Sequence, residues 1–309
     1  MAQAKLPLDV ILLIVDQLTP PPAIIALPPN HTITQTLCSL SLTSHGIRPT
    51  ALRLLLAHCC YISPPRLVPL LQLLDDHPNF RSCIHSLYLE PFPDWDIHCR
   101  PLCVQISRLL MHVAPTLKRL IADIPLRSLY PDDDTQGVRP ILQQAFESLV
   151  NLEVACSTRD EFYLSSSAQH ERFESFDDES WPAWTKLRVL ALYNPDVSEE
   201  AIWRALAKLE YLETVIFTMS DGHDDADMKV LWRRFAVRGR PLRILMISDE
   251  DGHVRRRARQ DEEGWKDDEV VVRMVNVPTS YYGDEDVIEL CQEFTKKKLL
   301  RGVSLDKWD

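Results

Sequence analysis

Leu187-Arg188-Val189-Leu190-Ala191-Leu192, Leu212-Glu213-Thr214-Val215-Ile216-Phe217 and Leu242-Arg243-Ile244-Leu245-Met246-Ile247 repeat one phrase, L-x-x-L-x-L. Upstream it recurs as Ile84-x-x-Leu87-x-Leu89, Leu117-x-x-Leu120 and Leu149-x-x-Leu152-x-Val154, and the apolar run Val270 to Val277 offers a seventh copy. A phrase returning every roughly thirty residues marks a repeat architecture. Strand side chains alternate between two faces, so the last two leucines of each copy share one buried face. Helical patterns lie between the copies: Leu102, Ile106, Leu109, Leu110 and Val113; Ile141, Leu142, Ala145, Phe146 and Leu149; Ile202, Leu206 and Leu209 after Ser198 as N-cap; Met228, Leu231, Trp232 and Phe235, ending at Gly239; and Val287, Ile288, Cys291 and Phe294 after Asp284 as N-cap. Helix and strand in alternation imply parallel strands with helices on one side. Leu190 and Leu245 are expected in the core.

The phrase resembles the strand segment of leucine-rich repeats in degenerate form. The asparagine of that repeat is missing, and Asn194 falls one residue early for it. An ordinary α/β domain with irregular crossovers is the alternative. In a leucine-rich-repeat arc the strand residues pointing away from the helices form an open concave face. Here they are Tyr88, Glu90, Ala191, Tyr193, Ile216, Thr218, Met246 and Ser248, a mix of aromatic, hydroxyl and acidic groups suited to protein recognition.

Before residue 63 the pattern is purely helical. Leu6, Val10, Leu13, Ile14 and Leu18 share one face of a helix opening at Pro7, and Ile11, Leu12 and Val15 make it apolar nearly all round. Such a helix must be covered on more than one side. Pro20-Pro21-Pro22 and Pro28-Pro29 forbid its continuation, so residues 19–35 read as a loop or flexible insertion. A second helix spans about Thr36 to Ser44, capped by Thr34 or Thr36. A third runs from Pro49 to about Tyr61 with Leu52, Leu55, Leu56 and Cys59 in helical spacing.

Leu6-Pro7-x-x-Val10, then Thr36-Leu37-Cys38-Ser39-Leu40-Ser41-Leu42-Thr43-Ser44 and a leucine-rich third helix, resemble an F-box, whose motif opens L-P-x-E-[IL]. Asp9 stands where that family has glutamate, and the Pro-rich stretch is longer than in a compact F-box. The resemblance implies an α/β fold in two parts. Residues 1–62 are a three-helix F-box-like head, and residues 63–309 an irregular leucine-rich-repeat-like solenoid with parallel strands. It further implies a non-enzymatic substrate receptor of a cullin-type (SCF) ubiquitin ligase. The head would bind a Skp-type adaptor through Leu6, Pro7, Val10, Ile14, Leu18, Leu37, Leu40 and Leu42, and the body would bind a target protein. A repeat scaffold whose helices merely cap the solenoid, and an enzyme with a cryptic α/β site, are the other two readings.

Composition agrees with a folded, protein-binding chain. The 309 residues are 45% hydrophobic and carry a net charge of −11. Acidic charge repels a phosphate backbone, so nucleic acid is not expected as a partner, and a basic target segment is favoured. G-x-G-x-x-G, G-x-x-x-x-G-K and G-x-S-x-G are all absent, which removes the usual phosphate-loop and nucleophile-elbow readings. No apolar run reaches the ~18 residues of a membrane span and no secretory signal is recognisable. Cytoplasm or nucleus is therefore expected, with the eight cysteines reduced and the sequon Asn30-His31-Thr32 unmodified. His98-Cys99-x-x-x-Cys103 and Cys83-x-His85 lack the paired spacing of a structural zinc site. Asp221, Asp224, Asp225 and Asp227 suit the N-terminus of the helix at Met228 better than calcium. No metal or cofactor is expected. Residues 156–185 and 248–268, the latter with Arg255-Arg256-Arg257-Ala258-Arg259 between acidic runs, read as loops.

Overall fold

In a computed structural model of the chain, residues 6–92, 97–166, 184–223, 226–249, 269–279 and 286–308 are described. Each phrase is a strand, and the strands lie side by side in chain order. The eight are β1 (Tyr61–Ile62), β2 (Ser86–Leu89), β3 (Arg119–Ala122), β4 (Val154–Ser157), β5 (Val189–Tyr193), β6 (Thr214–Thr218), β7 (Leu242–Asp249) and β8 (Val270–Val277). They form one all-parallel sheet in the order β1 to β8. Helices α4 (Pro64–Asp76), α5 (Arg100–Val113), α6 (Val138–Glu147), α7 (Glu200–Lys208) and α8 (Met228–Phe235) occupy the crossovers. They share one core with the sheet, in which Leu87, Leu120, Leu190, Val215 and Ile244 form a row.

The ladder corrects the phrase at two strands. Leu120 pairs in register with Ala155, and Val215 with Ile244. The helix-facing positions are therefore Ala155 and Ser157 in β4, with Leu152 buried just before the strand, and Leu242, Ile244 and Met246 in β7. Leu245 and Ile247 point the other way, into a second core with Tyr88, Ile121, Cys156, Ala191 and Ile216. β7 is apolar on both faces, so its leucines alone do not show which face meets the helices. Leu190 and Leu245 are both fully buried, in opposite layers. Replacing either with alanine is expected to cost roughly 2–5 kcal/mol. Urea unfolding of the two variants checks that both layers are needed for stability.

The second layer comes from two distant segments. Helix α9 (Val287–Leu300) lies across the sheet with Cys291, Leu299 and the following Trp308 buried against it. Asp286 caps it, accepting from the amides of Ile288 and Glu289; the expected cap, Asp284, lies outside the described residues. The Pro-rich stretch joins it there. Ile25 and Ala26 are buried in the same core. The Ile25 amide donates to the Leu300 carbonyl at 2.9 Å, and Arg119 donates to the Pro22 carbonyl. A flexible insertion is thus corrected to a strap: its prolines prevent helix, and its Ile-Ile-Ala-Leu run is buried along two cores.

The head packs α1 (Leu8–Asp16), α2 (Thr32–Ser41) and α3 (Arg48–His58) around Val15, Leu27, Leu37, Ile47, Ala51 and Leu54. His31, not Thr34 or Thr36, caps α2 by accepting from the Ile33 amide at 3.2 Å. Helix α3 stops at His58, and Tyr61 and Ile62 pair with β2 instead of continuing it. Residues 61 and 62 therefore belong to the sheet. Ser198 likewise precedes the cap of α7, which is Glu199. Gly302, just past α9, has φ +60, and a Cβ there would overlap the Ala23 carbonyl. Gly302→Ala is expected to cost about 1–3 kcal/mol from the left-handed backbone alone. It should also open the 20–27 strap to limited proteolysis before the sheet unfolds.

Candidate functional site

Helix α1 divides its apolar residues between two sides. Ile11, Val15 and Leu18 turn into the head core. Leu6, Val10, Leu13 and Ile14 remain exposed, Leu13 at 64% and Ile14 at 56%. Val10, Leu13 and Ile14 follow i, i+3 and i+4 spacing on α1 and Leu6 stands four residues before Val10, so the four form one stripe. Leu42, just past α2, is 85% exposed. Of the residues implied by the F-box resemblance, Leu6, Pro7, Val10, Ile14 and Leu42 are on the surface. Leu18 and Leu40 are half-buried beside the core, and Leu37 is fully buried inside it. Leu37 thus holds the head together and is unavailable to a partner. Leu13 was missed by the motif and is more exposed than the residues beside it.

The body row does not form an open face. Tyr88, Ala191 and Ile216 are buried beneath α9 and the strap. Thr218 is buried too, its hydroxyl 2.9 Å from that of Thr295 on α9. Met246 points to the helix side, and Ser248, two residues on, shares that side of the pleat. Glu90 and Tyr193 reach the strand ends half-exposed. One signal for this was available. Tyr88, Ile121, Cys156, Ala191, Ile216 and Leu245 are consecutive ladder neighbours, and none is charged. A row that apolar calls for a cover of its own.

A cleft of about 260 Å³ opens beyond the carboxyl ends of β3 and β4. Asp123, Thr158 and Arg159 follow those strands, and Glu289, Gln292, Glu293 and Lys296 line it from α9. Crevices at the carboxyl ends of parallel strands are where α/β sheets hold ligands. Asp123 accepts from Tyr88 Oη at 2.8 Å, from Lys296 Nζ at 3.2 Å and from Arg159 Nε. Burial pushes its carboxyl up, but Lys296 and Arg159 outweigh that and hold it below the usual range. Burial opposes the charge of Lys296, and Asp123 and Glu293 more than restore it. Arg159 Nη1 donates to Gln292 Oε1 at 2.8 Å. With its lone pairs committed to two cations and a phenol, Asp123 is poorly placed to accept a proton from a substrate. Thr158 donates its hydroxyl to the Ala122 carbonyl, at 3.5 Å. This arrangement suits binding better than proton transfer.

A second polar cluster is structural. Arg139, 3% exposed, donates to the carbonyls of Leu126, Leu129, Tyr163 and Ser165. Beside it Asp160 accepts from the Ser157 hydroxyl and the amides of Phe162 and Arg127. These bonds tie down the loop after β4, which the sequence left as a polar connection; its residues 167–183 lie outside the described part. Glu161 accepts from Arg127 Nε at 2.6 Å through Oε1, while its buried Oε2 has no hydrogen-bond partner among the described residues. Burial, then the neighbouring Asp160, pushes the Glu161 carboxyl up to about 8, with Arg127 opposing. Arg139 and Tyr163 also face it. The unfolded chain releases this proton near 4.5 and the folded chain near 8. Between those values the fold binds more protons, so stability falls as pH rises through the window. Glu161→Gln should flatten that fall, measured as urea midpoints at about pH 5 and pH 8. An unchanged slope would place the titrating group elsewhere.

Among the described residues no group of three or more His, Cys, Asp or Glu could hold a metal ion. Cys103 instead donates to the Ile97 carbonyl, and burial pushes the Cys60 thiol up to about 12. Asp227 caps α8 through the amides of Lys229 and Val230. The arginine run at 255–259 lies outside the described residues. No helix among the described residues is long and apolar enough to cross a membrane. The chain matches no family model, no curated protein and no solved structure.

Proposed function

We propose that this chain is the substrate-receptor subunit of a cullin-type ubiquitin ligase, with an F-box-like head that binds a Skp-type adaptor and a leucine-rich-repeat-like body that binds a target protein. In this reading the chain performs no bond chemistry. It raises the effective concentration of a target near the ubiquitin-loaded enzyme.

The observation that carries the reading is the α1 stripe. A helix that seats Ile11, Val15 and Leu18 in its own core yet leaves Leu6, Val10, Leu13 and Ile14 in solvent has more apolar surface than its domain uses. Exposed stripes of this kind mark protein-binding sites. The stripe includes three of the residues the F-box resemblance implies, Leu6, Val10 and Ile14. A scaffold whose helices only cap the sheet has no use for it. In the same reading, targets reach the body at its strand ends and loops, because the sheet face is covered.

Interface anchors of this type contribute about 2 kcal/mol or more each. Val10→Glu with Ile14→Glu should therefore abolish co-purification of a Skp-type adaptor with the full chain. Both side chains are exposed, so circular dichroism and thermal midpoint should stay near wild type. Unchanged adaptor recovery in that variant would reject the receptor reading.

A further inference from the structure

The polar cleft has more binding capacity than its internal bonds consume. Gln292 is 6% exposed, and its Oε1 accepts from Arg159. Its amide nitrogen has no hydrogen-bond partner among the described residues and lies in the lining of the cleft. That amide nitrogen is not sealed from the cleft, so it is available to an acceptor from solvent or a ligand. Lys296 Nζ spends two of its three protons on Asp123 and Glu293. Gln292 and Lys296 stand one turn apart on α9 and both line the cleft, so two donors are available to an acceptor oxygen there.

The rim has the opposite sign. Glu289 is exposed and its carboxylate has no partner among the described residues. It stands one turn from Glu293 on the same side of α9, so the two carboxylates flank one end of the cleft. Asp123, Glu289 and Glu293 carry three negative charges in the lining, against two positive charges on Arg159 and Lys296. Those two cations are turned toward Asp123, Gln292 and Glu293. A free anion would meet the rim carboxylates first and be repelled. A group with a carbonyl oxygen and a cation on a flexible arm satisfies both ends.

We infer that this cleft takes a short basic stretch of a protein, its main-chain carbonyl accepting from Gln292 Nε2 and Lys296 while a lysine or arginine side chain pairs with Glu289. This rests on the receptor reading, for which it names the target chemistry. About 260 Å³ holds one or two residues, so the cleft is one subsite of a longer contact. The chain's net charge of −11 speeds the approach of a basic segment and makes it salt-dependent.

The test uses the full chain and two capped tripeptides, acetyl-Gly-Lys-Gly-amide and acetyl-Gly-Glu-Gly-amide, titrated while backbone amide shifts are followed by NMR. The lysine peptide should shift the amides of residues 158–159 and 289–296 in a saturable, salt-sensitive way, and the glutamate peptide should not. Glu289→Lys reverses an exposed charge without touching the core and should weaken the lysine peptide at least about tenfold. Gln292→Leu should weaken the lysine peptide's main-chain contact, seen as loss of the shifts that Glu289→Lys leaves. Equal binding of the two peptides, preference for glutamate, or no effect of Glu289→Lys would each overturn the inference. Adaptor recovery is read separately on the same preparations. Peptide binding without adaptor capture would reject the receptor reading and leave the cleft standing. Adaptor capture without peptide binding would do the reverse.

Discussion

The sheet has two apolar faces, and the fold depends on covering the second. A parallel sheet built by helical crossovers on one side leaves its other face bare. Here that face is a ladder of Tyr88, Ile121, Cys156, Ala191, Ile216 and Leu245. A row of that composition in water would be a large aggregation-prone surface. Helix α9 and the strap remove it from solvent, and they do so from opposite ends of the described chain. The head is thereby joined to the body through β1 at the sheet edge, through Leu56 of α3 in the main core and through Ile25 and Ala26 against α9. Without α9 the strap loses its Leu300 partner; without the strap Gly302 loses the reason for its close approach.

Polar groups decide where α9 sits along that face. An apolar helix on an apolar sheet has little to define its register. Lys296 on Asp123, Gln292 on Arg159 and Thr295 on Thr218 supply it. Breaking one such buried pair leaves an uncompensated charge, which is costlier than never having built it. The first two of these contacts also line the cleft. Positioning the helix and shaping the cleft are one set of bonds, so the cleft's geometry is as rigid as the helix packing beneath it.

Much of the architecture was legible from periodicity. Leucines three and two residues apart, repeated with helices between them, require parallel strands in chain order, and that is the sheet observed. The phase was legible only where one face carried the leucines. In β4 the helix-facing residues are Ala155 and Ser157, too small to signal, and in β7 both faces are apolar. The second layer was hidden because its parts are far apart in sequence. Pro20 to Pro29 reads locally as a breaker, and only the distant Leu300 reveals that Ile25 is a docked residue. The cleft was equally hidden, since Asp123 and Lys296 meet only in three dimensions. On the head, the motif pointed to the correct helix but could not tell Leu37, which faces inward, from Leu13, which does not.

The order in which the chain is made gives the α9 layer a kinetic meaning. Synthesis runs from the amino terminus, so all eight strands leave the ribosome before α9 does. Until then the strap has no Leu300 carbonyl to bond, and the second face has no lid. The nascent protein must therefore carry a wet apolar ladder through most of its synthesis, the state in which chains recruit chaperones or aggregate. A ribosome that stops between residues 278 and 286 releases a sheet complete in all its described strands yet without the helix that covers one side. Quality control would meet that product as misfolded, although every strand in it could have found its correct neighbour.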